Sequence, residues 1–468
     1  MAATRGPQGK SNSTTPGKTP ARPGNVLLAY RTLTQAAAPI APLLLRLRAR
    51  RGKEDPARTP ERLGHPSRPR PAGALIWFHA ASVGETNAIL PLINQLSAEQ
   101  HDRTLLLTTG TVTSAKLAQS VLPKGAVHQF APLDIPKFID RFLDHWRPDA
   151  AVFAESEIWP NLIQELGARQ IPLALVNGRL SERSYFRWRA RARVSQPLFS
   201  RFQIVLAHNE ETAQRFAALG APRVEAVGNL KNDAPALPAD AAALKALQKL
   251  TRSRPILLAA STHPGEDESI ITAHISLSER HQNLLTIIAP RHPERGNAIA
   301  GLVESQGLVS RLRSADEQPD SQCDIYIANT IGELGLLYAL SPIAFVGGSL
   351  IPHGGQNPIE AIKHDCAVVI GPHFDNFTDA YGALLKVEGC LAVETADGLA
   401  TSLGGLFENE KRVQQLNARA HKAVAGMEGA LARTMKALDP IFSRKSKPRR
   451  KLSTRIKRVA GKGVANAT

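Results

Sequence analysis

Cysteine is scarce in this chain of 468 residues: there are three, Cys323, Cys366 and Cys390, and no two form a Cys-x-x-Cys pair. That excludes a disulfide framework and a cysteine-ligated metal site, and it fits a reducing cytoplasm. Long apolar runs are missing too. The uncharged stretch Thr32–Leu45 is 14 residues long and contains Pro39 and Pro42, short of the roughly 20 residues a spanning helix needs. No apolar core closely follows the first charges, so nothing reads as a signal peptide. Acidic residues, finally, are sparse at both ends. Residues 1–70 hold 14 Lys/Arg against 3 acids and residues 441–468 hold 10 against none, so of the formal +17 the body, 71–440, is left with −4.

Basic arms on a slightly acidic body imply a polyanionic neighbour, either nucleic acid or an anionic membrane, each basic residue being worth roughly 1 kcal/mol near such a surface. Solvated tails without a partner are the plainer alternative. Residues 1–24, rich in Pro, Ser, Thr and Gly, read as a disordered basic extension, and 439–468 as a disordered basic tail. Residues 25–70 read as a membrane-associating segment and basic linker, an interfacial anchor beside the cluster Arg46–Lys53. A buried core helix competes with that reading.

From residue 74 short apolar runs ("ALIWFHA", "TLLLTTG", "AAVFAE", "PLALVNG", "IVLAHN") alternate with helical stretches, the rhythm of parallel βαβ units in a doubly wound sheet. It restarts with "PILLAAS", "LLTIIAP", "DIYIAN", "IAFVGGS" and "CAVVIGP". The expected fold is therefore α/β: a Rossmann-like domain over 71–235, a linker over 236–254, and a second Rossmann-like domain over 255–438, facing the first across a cleft. Ligands of such sheets sit beyond the carboxyl ends of the strands.

Four strand ends of the second domain carry chemistry. "GGSLIPHGGQNPIE" (347–360) runs from a buried strand into glycines, with Gly348 and Ser349 at the turn. Asn357 and Pro358 suit an N-cap and first helical residue, followed by Ile359 and Glu360. Bare backbone and a helix start invite a phosphate there, with Glu360 placed for ribose hydroxyls. "APRHPER" offers Arg291 and His292 to a nucleotide phosphate after Pro290. "STHPGE" (261–266) and "NTIGEL" (329–334, with Ile331, Gly332 and Glu333) end further strands. Together they predict a nucleotide site. In the first domain "HAASVGET" sets Glu85 at a strand-to-helix turn, and "AESEIWPN" puts Glu155 and Glu157 on one side of an extended segment. A carboxylate in a partly dry cleft has a raised pKa and can take a proton from a hydroxyl nucleophile. A helix N-terminal charge favoured by the dipole is the alternative for Glu85.

Taken in order over about residues 26–430, "HAASVGE", "ESEIWPN", "NGRLSERS", "GNLKND", "STHPGE", "PRHPER", "GEL", "GGSLIPHGGQNPIE" and "GPHFDNF" resemble the 3-deoxy-D-manno-octulosonic acid (Kdo) transferases of lipid A assembly. The resemblance implies a GT-B glycosyltransferase with an acceptor domain, a CMP-sugar domain and a final helix returning to the first. It implies transfer of Kdo from CMP-Kdo to the tetraacylated lipid A precursor, lipid IVA, with inversion, on the cytoplasmic face of a bacterial inner membrane. By motif, Glu85 matches the family's proton acceptor, and Glu155 and Lys231 match positions of transition-state stabilisation. Pro290 and Arg291, Ile331–Glu333 and Asn357–Glu360 match CMP-binding segments. Gln356 stands where the family usually has His, Asn329 where it has Asp, and Gly178 where it often has Ala.

No cofactor and no metal is expected, since the chain has no Asp-x-Asp triplet and cationic groups can absorb leaving-group charge. The expected partners are CMP-Kdo, the lipid A precursor and the anionic membrane surface. Arg46, Arg48, Arg50 and Arg51 would hold headgroups, together with Glu157, Arg183, Arg187 and Arg189 on the acceptor side and Phe186 and Trp188 at the interface. A different GT-B enzyme using a UDP-sugar on a lipid carrier would share the Gly-rich turn. A nucleic-acid-binding protein would explain the tails, but no nucleic acid is expected, because the body is acidic and shows no binding module.

Overall fold

The computed structural model describes residues 24–99, 102–252 and 254–443. The disorder expected for residues 1–23 and 444–468 lies outside the described residues. The chain divides into two compact units, residues 1–226 with 434–468, and residues 227–433.

The first unit is built on seven parallel strands: β1 (Ala74–Ala80), β2 (Arg103–Thr109), β3 (Val127–Phe130), β4 (Ala150–Ala154), β5 (Leu173–Gly178), β6 (Ile204–Ala207) and β7 (Val224–Ala226). Their order is β3-β2-β1-β4-β5-β6-β7. The apolar runs become central strands because helices cover both faces, so consecutive residues Leu75–Phe78 are all buried rather than alternating. Trp77 packs on Phe142 and Phe153, with ring centroids 4.8 and 5.3 Å away.

The second unit repeats the plan with β8 (Ile256–Thr262), β9 (Leu285–Pro290), β10 (Ser310–Leu312), β11 (Ile325–Ile327), β12 (Ile343–Val346), β13 (Ala367–Ile370) and β14 (Leu391–Ala392). The order is β10-β11-β9-β8-β12-β13-β14, again all parallel. In each sheet the winding direction reverses at the first strand, between β1 and β4 and between β8 and β12. Side chains at the carboxyl ends of those strands are the ones a ligand meets.

Two boundaries differ from the sequence reading. The stretch expected as a linker carries a helix, Ala241–Leu250, capped by Asp240, whose Leu247 is buried in the core of the second unit; its apolar spacing outweighs its Pro- and Lys-rich flanks. The expected C-terminal tail begins too early, since the helix Ala430–Phe442 buries Leu438, Ile441 and Phe442. Residues 25–50 form two helices, Asn25–Ala36 and Ala41–Arg50, parted at Pro39. The reading as a core helix holds for part of the segment. Leu27, Ala41 and Leu45 are buried, while Leu28, Leu33, Ile40, Leu43, Leu44 and Leu47 are exposed. Among the described residues no helix is long and apolar enough to cross a membrane.

Candidate active site

Glu85 lies in the first turn of the helix Val83–Glu99, directly after β1. Its carboxylate accepts from the Ala81 N–H (2.7 Å) and from the Ser82 hydroxyl (3.0 Å), and the Ser82 hydroxyl in turn accepts from the Glu85 N–H (3.3 Å). This is close to a capping box, which fixes the rotamer. The helix N-terminal charge read as the alternative for Glu85 is therefore present. Burial and then the charge of Glu157, with a smaller push from Glu155, raise its proton affinity above that of an ordinary carboxylate, against the opposing hydrogen bonds from Ala81 and Ser82.

Glu155 and Glu157 follow β4, across the switch point from β1. Glu155 adopts left-handed backbone (φ 49°), as does Asn177 (φ 50°) at the end of β5, a conformation that costs a non-glycine residue free energy and clusters at functional sites. The Asn177 amide donates to Glu155 Oε1 at 3.3 Å. Glu157 is held differently. Burial pushes its pKa up, but hydrogen bonds from His79 Nε2 (3.2 Å) and Trp159 Nε1 (2.6 Å) bring it below the usual value. Two neighbouring carboxylates, Glu85 and Glu157, thus have their proton affinities pushed apart, the pattern of acid–base sites.

In the second unit the strand ends of β8, β9, β11 and β12 come to one edge of the sheet, as expected. Asn357 is the N-cap of the helix Pro358–Ile362, accepting from the Ile359 N–H, and Pro358 is its first residue. The Asn357 amide donates to Glu360 at 3.1 Å. Burial raises the pKa of Glu360, which the Asn357 amide and the Arg291 guanidinium oppose. Arg291, Asn357 and Glu360 are therefore brought together. His292 is exposed, 6.0 Å from the ring of His263, which lies 3.8 Å from the ring of His353 at a tilt of 39°. The Gln356 amide meets His263 Nε2 at 3.1 Å, so at this position Gln supplies a hydrogen bond without a titrating ring.

The glycine turn is not an open phosphate cradle. The N–H groups of Gly348 (2.6 Å), Ser349 (2.9 Å) and Leu350 (3.0 Å) all donate to the buried carboxylate of Glu266, as does that of His263 (2.9 Å). An internal anion fills the nest expected for a ligand. The glycines answer a packing demand: a Cβ on Gly347 would lie 2.5 Å from the Ser261 carbonyl oxygen, and one on Gly371 2.1 Å from that of Ser349. Glu333 is likewise engaged, by a two-pronged pair with Arg313 and by Thr330; this pair holds its carboxylate below the ordinary range and leaves Ile331 exposed before Gly332. Lys231 sits in the short helix Leu230–Asp233, whose place is fixed by Asp233 accepting from the Gly429 N–H and by Lys363 donating to the Asn232 and Ala234 carbonyls. Lys231 thus belongs to the second unit, Glu85 and Glu155 to the first.

Arg183, Arg187 and Arg189 line the exposed helix Glu182–Arg189. Phe186 is exposed as expected, whereas Trp188 turns inward onto Phe199 at 5.7 Å. Two residues escaped the sequence reading. His79 was visible as the single polar side chain in the run "ALIWFHA", and a buried polar group needs a partner. Glu266 was seen as a strand-end carboxylate, with nothing to say which N–H groups it takes.

Residues 57–234 match the family model described as "3-Deoxy-D-manno-octulosonic-acid transferase (kdotransferase)". A 3-deoxy-D-manno-octulosonic acid transferase of Haemophilus influenzae is 36% identical over 388 residues, 81% of this chain and 90% of that protein. The chain belongs to the Kdo transferase family. A probable mitochondrial Kdo transferase of Arabidopsis thaliana is 39% identical over 364 residues, 76% of this chain and 81% of its own length. A glycosyltransferase from Rickettsia africae superposes with a TM-score of 0.56 at 13% identity, over 80% of this chain and 100% of its own, a likeness of fold alone. The two parallel, doubly wound units are the GT-B architecture of a glycosyltransferase, as the resemblance implied. In this Kdo transferase Glu85, Glu155 and Glu157 follow the strands at the switch point of the first unit, and Arg291 follows β9 in the second.

Proposed function

We propose that this Kdo transferase moves Kdo from CMP-Kdo to the primary hydroxyl of the tetraacylated lipid A precursor, with inversion and release of CMP, and that Glu85 is the general base. The observation that carries the reading is the carboxylate of Glu85, fixed between Ala81 and Ser82 and given a raised proton affinity by burial and two neighbouring carboxylates. A base whose proton affinity is raised takes a proton with greater driving force. As the bond from the anomeric carbon to the CMP phosphate lengthens, positive charge develops on the sugar ring. The acceptor oxygen attacks from the opposite face as its proton passes to Glu85. Glu155 stabilises the ring charge, which accounts for its strained backbone.

On the donor side, Arg291 and His292 take the phosphate, with Lys231 sharing its charge or binding the donor carboxylate, and Glu360 accepts from the ribose hydroxyls. Because Glu266 occupies the N–H groups of Gly348 and Ser349, these two residues shape the site without binding phosphate. The exposed apolar face over Leu28–Leu47, with Arg46, Arg50 and Arg51 beside it, rests on the anionic surface of the inner membrane, where the acceptor lies; Arg183, Arg187 and Arg189 hold acceptor phosphates.

Purified protein with CMP-Kdo and the lipid precursor should yield the Kdo adduct by mass and one CMP per sugar transferred. Wild-type turnover in Glu85→Gln removes Glu85 as base. Turnover with a UDP-sugar in place of CMP-Kdo removes the donor assignment.

A further inference from the structure

His79 is a buried histidine, 1% exposed, on a strand otherwise apolar, and the chemistry above makes no use of it. It is the middle member of a hydrogen-bonded chain. The Trp77 indole, which can only donate, gives its N–H to the Thr108 hydroxyl oxygen (2.8 Å). The Thr108 oxygen lies 2.9 Å from His79 Nδ1, with the Phe78 carbonyl a distant alternative acceptor at 3.4 Å. With the Thr108 proton directed to Nδ1, the ring's proton lies on Nε2, 3.2 Å from Glu157 Oε2. That same oxygen accepts from Trp159 Nε1 at 2.6 Å. Both donors converge on one oxygen, and among the described residues no hydrogen-bond partner is found for Oε1 of Glu157.

We propose that His79 is a positioning residue, which through Thr108 on one side and Glu157 on the other fixes the Glu157 carboxylate as a permanent negative charge beside Glu85, its second oxygen free for a substrate hydroxyl. The inference rests on Glu85 being the base. The charged groups that act on Glu85 are Glu157 and Glu155, from the segment after β4; on its own turn it meets the Ala81 N–H and the Ser82 hydroxyl. Without the His79 donor, burial acts on Glu157 unopposed by its strongest partner, Glu157 takes up a proton at higher pH, and Glu85 loses the repulsion that raises its pKa. The two titrate as a coupled pair. His79 therefore sets where the acid limb of the pH–rate profile falls.

The test compares kcat/KM against pH, with CMP-Kdo and the lipid precursor, for wild type, His79→Leu and His79→Gln, alongside their melting temperatures. His79→Leu keeps the apolar bulk and removes the donor; the Gln amide restores a donor near the position of Nε2. The expected result is an acid limb lower by about half to one pH unit in His79→Leu, the order by which a like charge raises a neighbouring carboxyl, with the limb returning toward wild type in His79→Gln. A folded His79→Leu with the wild-type limb overturns the proposal, and so do equal shifts in both variants. Should His79→Leu not fold, Trp159→Phe decides, because it removes the other donor to the same oxygen from a side chain 38% exposed: a smaller downward shift supports the proposal, an unmoved limb overturns it. Inactive Glu85→Gln with an unmoved His79→Leu limb sinks this inference alone, whereas active Glu85→Gln sinks the base assignment and this inference with it.

Discussion

The carboxylate of Glu266 and the N–H of Gly348 lie 2.6 Å apart, although 82 residues separate them in sequence, and three further backbone N–H groups converge on the same side chain. The loops after β8 and β12 are joined at this point, on either side of the second switch point. Glu266→Ala would strand four buried donors, each costing about 1–3 kcal/mol when left unpaired, so the loss should reach roughly 3 kcal/mol or more after relaxation. Denaturant unfolding is the measurement, and Glu266→Gln should also be destabilised, since half of its amide presents N–H to N–H.

Glu85→Gln should lower kcat by about 10²–10⁴-fold, the usual contribution of a positioned base. CMP affinity, read by calorimetry, should stay close to wild type.

The same substitution should alter how stability depends on pH. Glu85 has a raised pKa in the folded chain, so between the ordinary carboxylate value and that raised value the native state holds more proton than the unfolded one. Stability therefore falls as pH rises through this window, a penalty the Gln variant escapes. The melting-temperature difference, variant minus wild type, should be more positive at pH 7 than at pH 4.

Two glycines make a contrasting pair. Gly371→Ala puts a Cβ 2.1 Å from the Ser349 carbonyl oxygen and should destabilise severely or displace the turn. Gly382, exposed in the helix Thr378–Lys386 with nothing within 4 Å of its would-be Cβ, should gain about 0.5–1 kcal/mol as Ala. Thermal unfolding of the two variants checks both.

Leu43 and Leu44 are 57% and 52% exposed on the helix Ala41–Arg50. Replacing both by Asp should weaken co-sedimentation with anionic vesicles by roughly tenfold or more, given the apolar area each leucine would bury in the interface. Unchanged vesicle binding would move the membrane contact elsewhere.

Much of the fold was legible because the strands are buried on both faces and so appear as unbroken apolar runs, and the Asn357–Pro358 cap was legible because cap chemistry is local. What stayed hidden was pairing at a distance. A glycine permits close approach, but the sequence does not say to what: Gly347 and Gly371 make room for neighbouring backbone, not for a phosphate. Glu333 looked available until Arg313, 20 residues away, engaged it. His79 is the opposite case: a polar side chain in an apolar strand is legible as one that needs a partner, but not that the partner is Glu157, 78 residues on.

The helix that closes the chain has a practical side. Residues 434–443 count with the first unit although all of 227–433 stands between, and Arg103 donates to the Phe442 carbonyl at 2.6 Å. The second unit is one continuous polypeptide. A fragment stopped at residue 226 would lose Leu438, Ile441 and Phe442 and expose whatever they cover, so the isolated first unit should aggregate unless the last helix is supplied, fused or in trans.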